Sequence, residues 1–424
     1  MFLTVIALLS SPPAENIPAV PDTVVYEANL RAFGGFRALE SHLNVIRSLG
    51  ANVIWLMPVQ PVGKIRSAGG LGSPYATADY TAVNPEFGTP EELRSLVKAA
   101  HSKRIGIILD WAADHTAWDN PWISSHSDWY QHGANGKIAI PAGTNWNDVA
   151  ALNYSSQPMR AEMIRSMKGW ITGFDIDGFR CDAADRMPPD FWKQAISELR
   201  ASTPKRLLML AEGFPASDYE EGFDLTYGWD FGNRLHEVYG GKPATELKAA
   251  SDHEAQGLPR GAERLRFITN HDYAAWNGSD LEFYKSDAGI RGAIILAALY
   301  GGVPMIYNGE EVDWQSRIPI FDRTRIDWSA HPEMTTWIAG LFRLRREHPS
   351  FRQGTVTDFS TNDVVGFARQ TTHDKAVVFV NVRNAESKIP VPVSDNGRWR
   401  TGGKEYDLKD TVTLNPYESL VLVK

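Results

Sequence analysis

The residues in this sequence that can carry chemistry are acids closing strand-like runs. The run 176–182 ends with Arg180 and Asp182, two positions apart. Side chains of an extended chain alternate between faces. Arg180 and Asp182 therefore share one face, and Cys181 points the other way, toward a helical layer. A guanidinium beside a carboxyl favours the ionised form, and an ionised carboxylate can act as a nucleophile. Taken alone, the pair reads equally well as a structural ion pair. Glu212 follows the apolar run 207–211. Desolvation there raises a carboxyl pKa, which suits a general acid. Asp110, Asp114 and His115 follow another run, and His271 and Asp272 follow a fourth. One ionised and one protonated carboxyl are what glycoside hydrolysis requires. Buried structural acids and ordinary loop hydrogen bonds are the alternatives for each acid taken singly.

Such acids can meet only if the fold brings the ends of their strands together. Strand-like runs occur at 24–26, 52–56, 105–110, 176–182, 207–212, 223–226, 265–269 and 303–307. Helix-period segments lie between them. In one, Leu39, Leu43, Ile46 and Leu49 share a face and Gly50 is the stop. In the next, Thr89-Pro90-Glu91-Glu92 is a capping box with proline in the first turn. Further helical segments are expected near 158–172, 189–201, 230–238, 285–300 and 334–347. Eight strands alternating with helices predict an α/β fold, a closed (β/α)8 TIM barrel, whose chemistry sits at the carboxyl ends of the strands. A doubly wound open sheet is the rival, but the Gly-rich phosphate loop it would carry after the first strand is missing. The barrel is expected over 21–115 and 156–348. A short excursion domain at 116–155, rich in Trp, Asn, Gly and Ser, follows the third strand. Turn-separated runs at 349–424 predict a C-terminal antiparallel β domain.

Composition narrows the partners. The chain has 424 residues, 43% hydrophobic and 11% aromatic, which excludes a collagen-like, coiled-coil or disordered chain. A net charge of −8 without a basic run argues against nucleic acid. A single cysteine, Cys181, excludes an intrachain disulfide and any zinc site with two thiolates, and reads as a small buried side chain. The apolar run at 2–9 is too short to span a bilayer, and no other segment is long enough, so no membrane span is expected. The run resembles a signal core without its basic flank, so residues 1–20 read as a signal or disordered segment. The protein is expected to be secreted or periplasmic, otherwise cytoplasmic.

Four stretches together resemble the α-amylase family, glycoside hydrolase family thirteen. They are Asp110-Trp-Ala-Ala-Asp114-His115, Gly178-Phe-Arg-Cys-Asp182, Ala211-Glu212-Gly213 and Phe267-Ile-Thr-Asn270-His271-Asp272, in the family's order. Tyr26-Glu27, Ser73-Pro74-Tyr75, Asp79-Tyr80 and Tyr307-Asn308-Gly309-Glu310-Glu311 resemble its flanking pieces. The resemblance covers about 22–348 and implies Asp182 as nucleophile, Glu212 as acid/base and Asp272 as the third acid. It also implies that Arg180 keeps Asp182 ionised, that His115 and His271 bind sugar hydroxyls, that Tyr75 stacks beneath the ring and that Asp110 supports. Among Trp118, Trp122, Trp146 and Trp276, which otherwise read as packing, Trp276 is the candidate sugar platform because it follows Asp272 by four residues.

The departures concern calcium. The family usually has Asn where this chain has Asp114, Lys-His where it has Asp185-Arg186, and Asp where it has Ala151. The expectation is a Ca2+ site reduced to Asp114 or no calcium at all, with no organic cofactor. The implied activity is endo-hydrolysis of α-1,4-glucans, with starch-like or malto-oligosaccharide substrates. That no additional domain precedes the first strand tilts the reading toward an amylase. A cyclomaltodextrinase, α-glucosidase or transglycosylase of the same family is the alternative, and a non-catalytic sugar-binding relative a remote one. Oligomeric state is left open.

Overall fold

The computed structural model describes residues 15–424; the signal-like run at 2–9 lies outside the described residues. Eight parallel strands close into a barrel in sequence order: β1 Val25–Ala28, β2 Val53–Leu56, β3 Gly106–Ala112, β4 Gly178–Asp182, β5 Leu208–Ala211, β6 Leu225–Tyr227, β7 Glu263–Arg266 and β8 Val303–Tyr307. β8 pairs with β1 and completes the ring. The period-2 alternation expected from sequence sorts the side chains into two apolar layers. Val25, Val53, Trp55, Ile108, Leu210, Leu225, Leu265 and Met305 pack inside the barrel. Tyr26, Ile54, Leu109, Phe179, Cys181, Met209 and Ile306 face the helices. Cys181 is buried there, as the alternation predicts.

The helices follow their periodicity. Helix Phe36–Leu49 buries Phe36, Leu39, Leu43, Ile46 and Leu49, and Gly50 ends it at φ 99°. Helix Pro90–Ser102 opens on the expected capping box between Thr89 and Glu92. Some elements differ from expectation. β7 ends at Arg266 rather than 269, because side chains take the Ile268 carbonyl: Tyr284 Oη donates to it at 2.7 Å and the His236 ring lies 3.0 Å away. The chain thereby leaves the barrel early and delivers His271 and Asp272 on a loop. Helix Glu246–Ala255, absent from the sequence reading, packs against helix Trp229–Tyr239.

Between β3 and helix Gln157–Phe174, strands His115–Ala117 and Val149–Ala151 pair antiparallel. Beyond helix Pro332–Glu347, the C-terminal region forms a six-stranded antiparallel sheet and a two-stranded one. Residues 15–20, grouped with a leader in the sequence reading, belong in part to the fold. Ile17 is buried among the inward-facing barrel residues, against Gly106. No described helix is long and apolar enough to cross a membrane.

Candidate active site

The carboxyl ends of β3, β4 and β5 and the loops after β7 and β8 frame a cleft of about 860 Å³. Asp182, Glu212 and Asp272 all line it, with Tyr75, His115, His271, Trp146 and Trp276. Three acids separated along the chain therefore meet in one hollow. Their exposure is graded: the side chains of Asp182, Glu212 and Asp272 are 13%, 18% and 35% exposed.

Arg180 organises the floor. It points into the barrel with no exposed surface. Its guanidinium lies 4.7 Å from the Trp55 ring and 5.4 Å from the Tyr227 ring. Nε donates to Tyr227 Oη at 3.1 Å, and Nη1 donates to Asp110 at 2.8 Å and Asp182 at 2.7 Å. Nη2 lies 3.1 Å from Glu212 Oε2 but makes no hydrogen bond of good geometry. A strong bond to Asp182 and a weak contact to Glu212 make the two carboxyls unequal. Burial pushes Glu212 up to about 8, with Arg180 opposing and Asp182 and Asp272 reinforcing. Asp182 is also raised by burial, so Arg180 alone does not set its charge as the sequence implied; the guanidinium and His115 pull it back. Glu212 is thus a carboxyl that holds a proton toward neutral pH.

Local backbone geometry completes this pair. Ala183 sits at φ 42°, a left-handed conformation uncommon for a non-glycine residue. From there its N–H reaches Glu212 Oε2 at 2.7 Å. Strain held at such a position is paid for by the surrounding fold.

Tyr75 Oη donates to Asp110 at 2.9 Å and lies 2.8 Å from His271 Nε2. Burial holds the Tyr75 proton firmly. With that proton committed to Asp110, His271 Nε2 is the donor to Tyr75. His271 Nδ1 meets the buried Glu27 at 2.5 Å. Burial disfavours charge on His271, but Asp272 and Glu27 override it and hold the pKa at about 9. The ring is thus an imidazolium at neutral pH, fixed beside Asp272 Oδ2 at 3.5 Å. His115 lies in contact with Asp114 through Nδ1, and its Nε2 donates to the Tyr75 carbonyl at 3.0 Å.

The aromatic residues divide. Trp276 is 56% exposed on the cleft wall, at a steep angle to Phe321. Trp146 also lines the cleft, packed at a steep angle against His115. Trp122 packs on Tyr80 and Trp129, and Trp118 beneath Arg66. Glu27, Trp55 and Tyr227 support the site, yet the sequence reading gave them no role. Glu27 lies near the carboxyl end of β1, as the other acids do of their strands, which is the one signal that could have found it.

The residues at the implied calcium position do not fit calcium. Asp114 Oδ2 accepts from Arg186 Nε at 3.0 Å, and Oδ1 lies in ion-pair contact with His115 Nδ1 without a hydrogen bond of good geometry. Burial raises Asp114, but these two cations win and hold it below the usual carboxylate range. Ala151 offers only backbone, paired with His115. A divalent ion there would have a guanidinium beside it instead of oxygen ligands. Among the described residues no group of three His, Cys, Asp or Glu side chains is placed to hold a metal. Asp114, the expected metal ligand, is thus satisfied by two cationic side chains.

The family model "Alpha amylase, catalytic domain" matches residues 25–213. An α-amylase of Haloarcula japonica is 25% identical over 402 residues, covering 89% of this chain; the chain spans 58% of that relative's length. A cyclomaltodextrinase of Geobacillus thermopakistaniensis is 23% identical, covering 87% of this chain and 65% of the relative. The crystal structure of a maltogenic α-amylase from Thermotoga neapolitana superposes with a TM-score of 0.86 at 26% identity, covering 95% of this chain and 99% of the other.

Proposed function

We propose that the chain is a member of the α-amylase family, a retaining glycoside hydrolase acting on internal α-1,4-glucosidic bonds of starch-like glucans. One observation carries the reading. Asp182 and Glu212 face the same guanidinium, one by a 2.7 Å hydrogen bond and the other by a 3.1 Å ion-pair contact, so their proton affinities are driven apart. A retaining mechanism needs two carboxyls about 5–5.5 Å apart with different protonation.

In this reading Glu212 donates its proton to the leaving glycosidic oxygen while Asp182 attacks the anomeric carbon. A covalent glycosyl-Asp182 forms. Glu212, now a carboxylate, takes a proton from water, which attacks the same carbon and releases Asp182 with configuration retained. Asp272 and the charged His271 hold hydroxyls of the reacting sugar, His115 holds a further one, Tyr75 lies beneath the ring, and Trp276 stacks on a neighbouring unit. The non-catalytic alternative is disfavoured because the three acids share one cleft.

A cyclomaltodextrinase or transglycosylase of the same family remains the second reading, supported by the apolar wall of Phe214, Trp229 and Phe321 in the cleft. An apolar wall lowers the advantage of water over a sugar hydroxyl as the attacking group. We place the protein outside the cytoplasm, in the secreted or periplasmic space, on the signal-like run at 2–9. The deciding experiment is a time course of products from soluble starch, maltotriose and cyclodextrin, with the anomer formed first read by NMR. Rapid loss of starch viscosity with α-anomeric products is expected. Inverted products, or no cleavage of any of the three, would overturn the reading.

A further inference from the structure

Arg186 stands where the metal-binding reading fails, and its contacts reach well beyond one ion pair. It ends the short turn Ala184–Arg186 that follows β4. Its Nε donates to Asp114 Oδ2 at 3.0 Å and its Nη2 donates to the Ala142 carbonyl at 2.8 Å. The guanidinium lies 5.2 Å from the centroid of the Trp146 ring. Asp114 in turn holds His115, whose other nitrogen bonds the Tyr75 carbonyl. Four segments converge on this one side chain: the end of β3, the turn after β4, the excursion loop at 142–146 and, through His115, the loop carrying Tyr75. All four contribute to the wall of the substrate cleft.

The side chain also forms a partition. Arg186 lines the 860 Å³ cleft on one side and a separate 380 Å³ cavity on the other, the latter bounded by Asp114, Gln131, Ala151 and Tyr154. Asp114 is 7% exposed, so its charge needs a partner, and a planar fork gives it one while spending a second N–H on the excursion loop. A divalent cation between the same segments would gather oxygens from each. The guanidinium gathers one carboxylate and one carbonyl and adds a flat face for Trp146.

We propose that Arg186 is a positioning residue that substitutes for a structural cation, holding His115 and Trp146 in the cleft wall independently of divalent metal. It touches neither Asp182 nor Glu212, so its effect falls on substrate binding. This rests on the glucan-hydrolase reading for its kinetic arm only.

The test has two arms. In the first, thermal unfolding of the wild-type chain is followed after EDTA treatment and again after added Ca2+. Unchanged midpoints are expected; a midpoint that falls with EDTA and returns with Ca2+ overturns the proposal, whatever the substrate proves to be. In the second, Arg186→Ala is expected to raise KM for malto-oligosaccharides on the order of tenfold, with kcat changed less than about threefold. Arg186→Lys should lie between, because one ammonium can meet Asp114 but cannot also present a planar face and a second directed donor. A loss in kcat at unchanged KM, or full recovery by Lys, overturns it. Should Arg186→Ala not fold, Arg186→Gln keeps a donor for Ala142 and carries the same kinetic test. If the wild type cleaves no glucan, the function reading fails while the unfolding arm still decides this one.

Discussion

The two ends of the barrel use arginine in opposite ways. At the mouth, Arg180 and Arg186 meet carboxyls: Asp110, Asp182, Glu212 and Asp114. At the base, where the barrel joins the C-terminal sheet, Arg345 and Arg369 meet carbonyls, while Arg352 pairs with Asp22. Arg345 donates to the carbonyls of Ala298, Pro21 and Gly302, and Arg369 to those of Ser350, Tyr300 and Phe351. Both are buried, and burial lowers each to about 10. A carbonyl cannot take up a proton at any accessible pH, so the bonds of Arg345 and Arg369 are fixed. A carboxyl can, so the mouth is a set of groups whose charges can exchange during a reaction. The base stabilises the fold, whereas the mouth sacrifices some stability to keep acids buried together.

The contrast is broken most sharply at the mouth. Asp182→Asn should lower kcat on the order of 10⁴-fold while leaving the unfolding midpoint unchanged or raised, since a buried carboxyl is removed from a crowded site. Equal activity of the variant would sink the nucleophile assignment. Glu212→Gln follows, with a loss of roughly 10²–10⁴-fold, the range for one acid/base. Substrates with a good leaving group should suffer less in the first step, which pre-steady-state kinetics of an aryl glucoside can measure.

At the base the opposite pattern is expected. Arg369→Ala strips donors from three buried carbonyls and should cost about 2–4 kcal/mol of stability. The kcat of the folded fraction should not change. Chemical denaturation alongside active-site titration separates the two quantities, and a fall in kcat without destabilisation would contradict the division of labour.

The next effect is in pH. Glu212 must hold a proton to act first, and burial holds it to about 8. Raising pH through that value removes the proton, so kcat/KM should fall about tenfold per pH unit above it. His271, charged to about 9, titrates later. The acid limb belongs to Asp182 and should lie above the ordinary carboxylate value, since protonation there abolishes the nucleophile. An alkaline limb below about 6 would mean that Glu212 is not the acid.

The strand ends and the three acids were legible because each rests on a local pattern: period-2 alternation, an apolar run, a short motif. What escaped depends on register or on polar residues at core positions. Glu27 lies under His271 only because β1 and the loop after β7 are brought together when the ring closes. Trp55 and Tyr227 flank Arg180 from two other strands, and nothing in their own neighbourhoods says so. Helix Glu246–Ala255 buries only Leu247, Ala250 and Glu254. An acid completes its core face, satisfied by Arg266, so its apolar period is masked. Strands Gly397–Thr401 and Lys404–Leu408 hide in the same way, with Trp399 and Leu408 their only fully buried side chains. The surroundings of Asp114 were illegible for a different reason. Its contact with Arg186 spans 72 residues, and a carboxylate looks the same in sequence whether a metal or a guanidinium satisfies it.

The smallest effect tests the mouth at its rim. Trp276 stands in the wide turn Tyr273–Asn277, of π geometry, a form often found at functional sites. The turn lifts its ring clear of the barrel, and Phe321 meets it edge-on at 5.3 Å. Little holds the ring for the sake of stability. Removing it should therefore leave unfolding unchanged and cost only stacking on the substrate, about 0.5–1.5 kcal/mol. That corresponds to a KM rise of roughly two- to tenfold at constant kcat, since the interaction is the same in ground and transition states. Trp276→Ala and Trp276→Tyr, compared on maltotriose and on longer malto-oligosaccharides, separate a sugar platform from a packing residue. A platform loses affinity in Ala and keeps most of it in Tyr, whereas a packing residue moves the unfolding midpoint in both.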